Sequence, residues 1–399
     1  MPARHRAAFR SLILICLLLL SLPALARPRA KRPSSAIGVV FATASDDSMY
    51  AAAKEALTRA ESNMRVRITS YLAGYDASKY DQAVRDAASQ NGLVVAVGGS
   101  LNNAVSAAAD AYPDVDFVII DAKSTHSEVA SVIFHQCEAS YLAGRLAARI
   151  AQKIHAEVPG SPLKAGIILG DNGANAPVML DFLSGYTQGV HDADSRVEVL
   201  QASVQSWNDR EKAKRLALEM RKKGARVIFQ AAGQSGLGVI DAAFEDRFYV
   251  IGVDEAQEKL APGFVLTAVL KHFDHALYDV ICAKYEGHLR RGATLTYKLW
   301  NRGVGLSWTT NSLLPEDLRR ELEGISYRVI DGHIKVNTAY DGKGFFKKGL
   351  KPIPAGISTA PRKPRAALPG GKNARCAGLA PARMSVFLSN CLRELVMRC

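Results

Sequence analysis

The most constraining feature of this chain is an alternation that runs with few interruptions from Ala36 to about Gly344. Short apolar runs rich in Val and Ile, at residues 37–42, 93–97, 117–120, 165–169, 227–229 and 249–253, are too short for helices. They read as buried parallel strands, in which both faces are covered and apolar residues come in a row instead of alternating. Between them, apolar residues recur at three- and four-residue steps over 49–60, 80–88, 102–111, 141–154, 179–190, 209–222 and 237–244. Those stretches predict helices, several with a polar starter in place, such as Ser78 before Tyr80 and Asn208-Asp209 before Arg210. Strand–helix alternation with short turns predicts α/β architecture with doubly wound parallel sheets. One sheet of about ten strands would be large, and two sheets of about five or six fit a chain of 399 residues better.

The two ends have a different character. Arg4, Arg6 and Arg10 precede an apolar run over 12–22, followed by Pro23 and the small-residue site Ala24-Leu25-Ala26. This pattern predicts a secretory signal peptide over 1–26, cleaved after Ala26. The run is shorter than the roughly 20 residues a spanning helix needs. Cys16 raises the alternative of a lipid anchor, but it sits mid-run behind bulky Ile15 with apolar residues continuing after it. Residues 351–399, rich in Pro, Ala, Gly and Arg and without period, predict a basic disordered tail.

Charge location decides what the formal net charge of +13 means. Residues 1–32 hold seven basic and no acidic side chains, and residues 351–399 hold nine basic and one acidic, which leaves the body near −2. A nucleic-acid binder carries its charge on the folded surface, so that class is rejected. Of six cysteines, Cys137 and Cys282 fall in apolar-patterned segments and predict buried thiols; a disulfide between them stays open. With no CxxC and no Cys/His cluster, no structural metal site is expected.

In doubly wound sheets, ligands bind outside the carboxyl ends of the strands. The polar residues directly after strands are Ser45-Asp46-Asp47, Gly98-Gly99-Ser100, Asp121, Gly170-Asp171, Gly233-Gln234-Ser235 and Asp254. Each alone suits an ordinary turn; together they describe a cleft. No GxSxG elbow, Walker loop or HExxH occurs, and the glycine-rich 233–238 segment reads G-x-x-G-x-G, not the dinucleotide order. Carboxylates at Asp121 and Asp254 suit either acid–base work or bidentate hydrogen bonds to vicinal hydroxyls. Tyr50 and Trp207 add flat surfaces on which a ring can stack.

Segments 117–121 (FVIID), 141–144 (YLAG), 229–238 (FQAAGQSGLG), 250–254 (VIGVD), 265–271 (VLTAVLK) and 303–306 (GVGL) resemble, in order, the basic membrane protein family of ABC-transporter solute-binding proteins. That family includes purine nucleoside receptors of PnrA type. The resemblance covers residues 37 to 344 and implies a type I periplasmic binding fold, two doubly wound lobes joined by three hinge crossovers. The expected division is 36–133 with 255–292 as lobe 1 and 134–254 with 293–344 as lobe 2, with hinges near 133–135, 254–257 and 292–301.

Carried over by position, the resemblance implies that Trp207 stacks on a base and that Asp121 and Asp254 hold ribose hydroxyls. It further implies that Lys271 reaches the sugar region, Gly233 offers backbone beside the ring, and Asp46 and Asp47 start the first helix and reach the base. The chain departs from the family's Asp-Asp-x-Ser-Phe-Asn-Gln at Ser45-Asp46-Asp47-Ser48-Met49-Tyr50-Ala51. Met49 replaces the stacking Phe and Tyr50 the base-reading Asn. A wider, more apolar site follows, which leans toward riboflavin over a purine nucleoside.

The expected function is therefore an exported importer component without enzymatic activity and without a cofactor, working as a monomer with an ABC permease and ATPase at the periplasmic face or cell surface. Two rivals are a ligand-sensing receptor ectodomain, which would call for a membrane segment after Gly344, and an exported nucleoside-processing enzyme, which would call for clustered aspartates around calcium.

Overall fold

A computed structural model describes residues 36–45, 47–170, 176–308, 314–340 and 358–359. The expected signal peptide, Cys16, the basic tail, Asp46 and Asp171 lie outside the described residues.

The first sheet contains β1 (Ala36–Phe41), β2 (Arg67–Leu72), β3 (Leu93–Val97), β4 (Asp116–Ile120), β5 (Val129–Phe134) and β11 (Thr294–Tyr297), ordered β11-β5-β4-β3-β1-β2. All its pairs are parallel. The second contains β6 (Lys164–Leu169), β7 (Glu198–Ser203), β8 (Val227–Ala231), β9 (Tyr249–Asp254), β10 (Val265–Lys271), β12 (Val304–Leu306) and the two-residue β13 (Ser358–Thr359), ordered β12-β10-β9-β8-β6-β7-β13. Only β12 and β13, at the two edges, run antiparallel. Counting from each lobe's first strand, both sheets share the order 2-1-3-4-5.

Strands β1 and β3, expected from their apolar runs, are buried at every residue. The edge strand β2 (RITSYL) is mostly exposed, has no apolar run, and gave no signal. Nine described helices cover the sheets: α1 (Ser48–Met64), α2 (Tyr80–Gln90), α3 (Asn102–Ala111), α4 (Gln136–Glu157), α5 (Ala176–Ala193), α6 (Arg210–Lys222), α7 (Gly236–Asp246), α8 (Phe273–Tyr285) and α9 (Glu316–Ile330). Helix α1 starts at Asp47, whose Oδ1 accepts the Met49 amide at 2.8 Å from an extended backbone.

Helices α4 and α5 touch backbone to backbone. A Cβ on Gly144 would lie 2.1 Å from the Tyr186 carbonyl oxygen, and one on Gly185 the same distance from that of Cys137. Glycine at 144, in the YLAG segment, is therefore a packing requirement.

Sheet membership differs from the expected division at 255 and 292. Strand β10 belongs to the second sheet and β11 to the first, and α8 packs on α1. The chain crosses between sheets at 134–136, 271–273 and 297–304, so the second crossover lies beyond β10 and not at 254–257. Sequence could not place it, because β9 and β10 are both buried apolar strands whose residues carry no mark of which sheet they join. The crossovers are tied together: the His135 amide donates to the Tyr297 carbonyl at 2.8 Å, and the His272 amide to that of Gly303 at 3.0 Å. Glu138 accepts the Leu299 amide at 2.9 Å. Cys137, buried, and Cys282, half-buried, are not joined in a disulfide.

Candidate functional site

A cavity opens at the carboxyl ends of both sheets' strands. It lies where strand order reverses, the position that doubly wound topology favours for ligands. Loops after β1, β3 and β4 supply Asp47, the 98–100 turn and Asp121; loops after β7, β8 and β9 supply Trp207, Gly233 and Asp254. Lys271, at the end of β10, and Met49 also line it.

Asp121 and Asp254 occupy corresponding places, each at the carboxyl end of its sheet's fourth strand. Both have left-handed backbone, with φ of 72° and 67°. Asp tolerates that conformation better than most side chains because its short polar group bonds locally, and the sharp turn aims each carboxylate across the strand ends. The Lys271 ammonium meets Asp121 Oδ1 at 2.6 Å. Its side chain is only 2% exposed, and the ammonium stands 5.0, 5.2 and 5.5 Å from the ring centres of Phe273, Phe134 and Phe182. Three aromatic faces and one carboxylate thus compensate a charge removed from water.

The Asp254 carboxylate has no hydrogen bond or ion pair among the described residues. Burial pushes its carboxyl up to about 7, against the pull of the Lys271 ammonium and with further lift from Asp121, Asp47 and Glu255. Burial also raises the Asp121 carboxyl, with Lys271 opposing. Three carboxylates and one ammonium give the cavity negative character, which disfavours anionic ligands.

Trp207 lies against the strand-end backbone. A Cβ on Gly170 would come 2.5 Å from its Cζ3, and one on Gly233 would come 3.4 Å from its Cε3. Gly233 also has φ of +54°. The loop is fixed locally: the Ser235 amide donates to the Trp207 carbonyl at 2.9 Å, and the Ser235 hydroxyl donates to the Ser206 carbonyl and accepts from the Asp209 amide. Asp209 in turn caps α6 through the Lys212 amide.

Of the residues expected from sequence, Asp47, Met49, Asp121, Trp207, Gly233, Asp254 and Lys271 line the one cavity. Tyr50 does not, and that expectation is corrected. Its ring meets Phe41 edge-on at 5.0 Å and packs on the core. Position 50 follows 49 by about 100° around α1, so facing the cavity at 49 turns 50 toward β1. Asp47 is also less available than expected, because Oδ1 caps α1 and Oδ2 accepts the Tyr75 hydroxyl. Tyr75 itself lines the cavity and was missed, since it follows the unread strand β2. Phe182 and Phe273 were missed because helix periodicity marks core and cavity faces alike.

The lining contains hydroxyls at Thr43, Ser100 and Tyr75 and no histidine or cysteine among the described residues. Such a surface can clasp a flat ring against Trp207 and hydrogen-bond hydroxyls through Asp254.

Residues 35–339 match the family model described as ABC transporter substrate-binding protein PnrA-like. The chain is 30% identical over 286 residues to the ABC transporter nucleoside-binding protein BmpA of Lactococcus lactis, covering 67% of this chain and 77% of that one. It is 28% identical over 246 residues to basic membrane protein C of Borreliella burgdorferi, covering 60% and 66% respectively. Among solved structures, an ABC transporter solute-binding protein from Aeropyrum pernix superimposes with a TM-score of 0.68 at 24% identity, covering 77% of this chain and 94% of that one. That likeness carries the fold. The chain belongs to the PnrA-like family of ABC transporter substrate-binding proteins.

Proposed function

We propose that this protein captures a purine nucleoside between two closing lobes and delivers it to an ABC permease and its ATPase. The observation that carries the reading is the unpaired, largely enclosed carboxylate of Asp254, facing the cavity beside the Lys271–Asp121 pair and Trp207. A carboxylate without a protein partner is costly to enclose, and vicinal hydroxyls supply two donors to it. Trp207 gives the base a flat face. The name of the Lactococcus relative, a nucleoside-binding protein, points to the same ligand class.

Lys271 acts by holding Asp121, and Asp47 by orienting the Tyr75 hydroxyl. Closure is a hinge motion at the three crossovers. The protein works as an exported monomer, at the periplasmic or cell surface, and releases its ligand unchanged.

Riboflavin is the second reading, supported by Met49, an adaptable apolar side chain, standing in the cavity wall in place of an amide reader. Native purification followed by heat release and mass spectrometry separates them: a nucleoside is expected, and a yellow preparation yielding flavin would replace it. A carboxyl titrating near neutrality also suits a general acid. Incubation with inosine and adenosine is therefore followed by chromatography for free base, and turnover would overturn the delivery reading.

A further inference from the structure

Away from the cavity, three potential metal ligands converge at the second crossover. His272 precedes α8, and Asp274 and His275 lie in its first turn; their donor atoms all fall within 4.8 Å of one another. His272 Nδ1 is 3.5 Å from Asp274 Oδ1, and His275 Nε2 is 3.6 Å from Asp274 Oδ2. Donors on a tetrahedral zinc ion, with bonds of about 2.0–2.2 Å, sit roughly 3.3–3.6 Å apart. Each imidazole thus already stands at such a spacing from the carboxylate, one from each of its oxygens. The imidazoles lie stacked, 4.6 Å between centres and 12° from parallel, so small χ turns bring their nitrogens to a common point.

We propose that His272, Asp274 and His275 form a binding site for a divalent transition metal of the zinc class. Two imidazoles and one carboxylate are the donors such ions prefer, and magnesium or calcium would call for more oxygens. The side chains are 32%, 30% and 43% exposed, so an ion enters from solvent and keeps water at its remaining positions. The site sits on the crossover itself: the His272 amide is bonded to Gly303 of the third crossover, and Lys271 of the cavity is its neighbour in sequence. A bound ion links the residue that ends the crossover to the first turn of α8 and stiffens that junction.

The test uses the whole protein, purified without a histidine tag and stripped with chelator. Calorimetric titration with zinc is expected to give one equivalent whose affinity drops at least tenfold in His275→Gln and is abolished in His272→Gln/His275→Gln. Cobalt should give the visible absorption of a low-coordinate ion, also lost in the double variant. The melting temperature should rise with zinc in the native chain alone. Because His275 is exposed, its variant is expected to melt at the native temperature without metal, and circular dichroism checks that both variants are folded. Zinc binding that survives the double variant, or no stoichiometric uptake by the native chain, would overturn the proposal and leave Asp274 as an ordinary first-turn acid.

Discussion

The two lobes present the cavity with matching equipment used in opposite ways. Each places an aromatic residue a few positions after its second strand, Tyr75 and Trp207, and an aspartate at the end of its fourth, Asp121 and Asp254. On the first lobe both are engaged within the protein: Tyr75 bonds to Asp47 and Asp121 to Lys271. On the second lobe, Trp207 rests on glycine backbone and the Asp254 carboxylate has no partner among the described residues. One fold repeated twice gives the same positions, but neighbours decide which are spent on structure and which are left for a ligand. On the proposed function, the first pair has structural roles and the second contacts the ligand.

Removing Lys271 tests that division hardest. Lys271→Met strands the Asp121 carboxylate, and unfolding in urea should show a loss of about 3–5 kcal/mol, largely recovered in Lys271→Met/Asp121→Asn. A loss near zero would mean that the pair is not structural. Asp254→Asn should do the reverse, leaving stability equal or higher while nucleoside affinity by calorimetry falls by roughly 10- to 100-fold, the value of hydrogen bonds to a charged group. Gly170→Ala puts a methyl against the indole and 3.2 Å from the Ala232 Cα. It should cost about 1–3 kcal/mol by overpacking and weaken binding by displacing Trp207.

Dependence on pH is a smaller effect with a definite sign. The folded Asp254 carboxyl is raised from 3.8 to about 7, so the folded state holds a proton that the unfolded chain has released. Stability from this group is present below pH ~4 and lost as pH rises to about 7. Relative to Asp254→Asn, the native protein should therefore lose stability across that window, while nucleoside affinity rises as the carboxylate forms. A flat difference between the two melting curves would show that Asp254 titrates normally. Tyr50→Phe should have the least effect, with affinity unchanged within twofold, because its ring faces Phe41; a larger loss would return position 50 to the cavity.

How much was legible follows from which signals survive in a string of residues. Fully buried strands such as β3 announce themselves as apolar runs, and from them the polar residues at their ends could be located, Asp121 and Asp254 among them. Edge strand β2 has half its faces in water and was silent, so Tyr75 behind it was silent too. Trp207 was legible as an aromatic residue among polar ones, and the resemblance assigned it the stacking role, without any signal from β7. Lys271 was placed at the site, but its aromatic enclosure joins Phe134, Phe182 and Phe273 from three separate segments, which no local pattern links.

By itself, then, the sequence determined the α/β alternation, the strand ends at which a ligand is met, and the family. Those depend on local periodicity and on motifs that lie along the chain. Tertiary structure alone decided which sheet β10 and β11 enter, which way Tyr50 turns, and which of two equivalent aspartates is neutralised. Each of those outcomes depends on contacts between segments far apart in sequence. For the aspartates the decisive contact is the 2.6 Å bond that commits Lys271 to Asp121 and leaves Asp254 to the cavity.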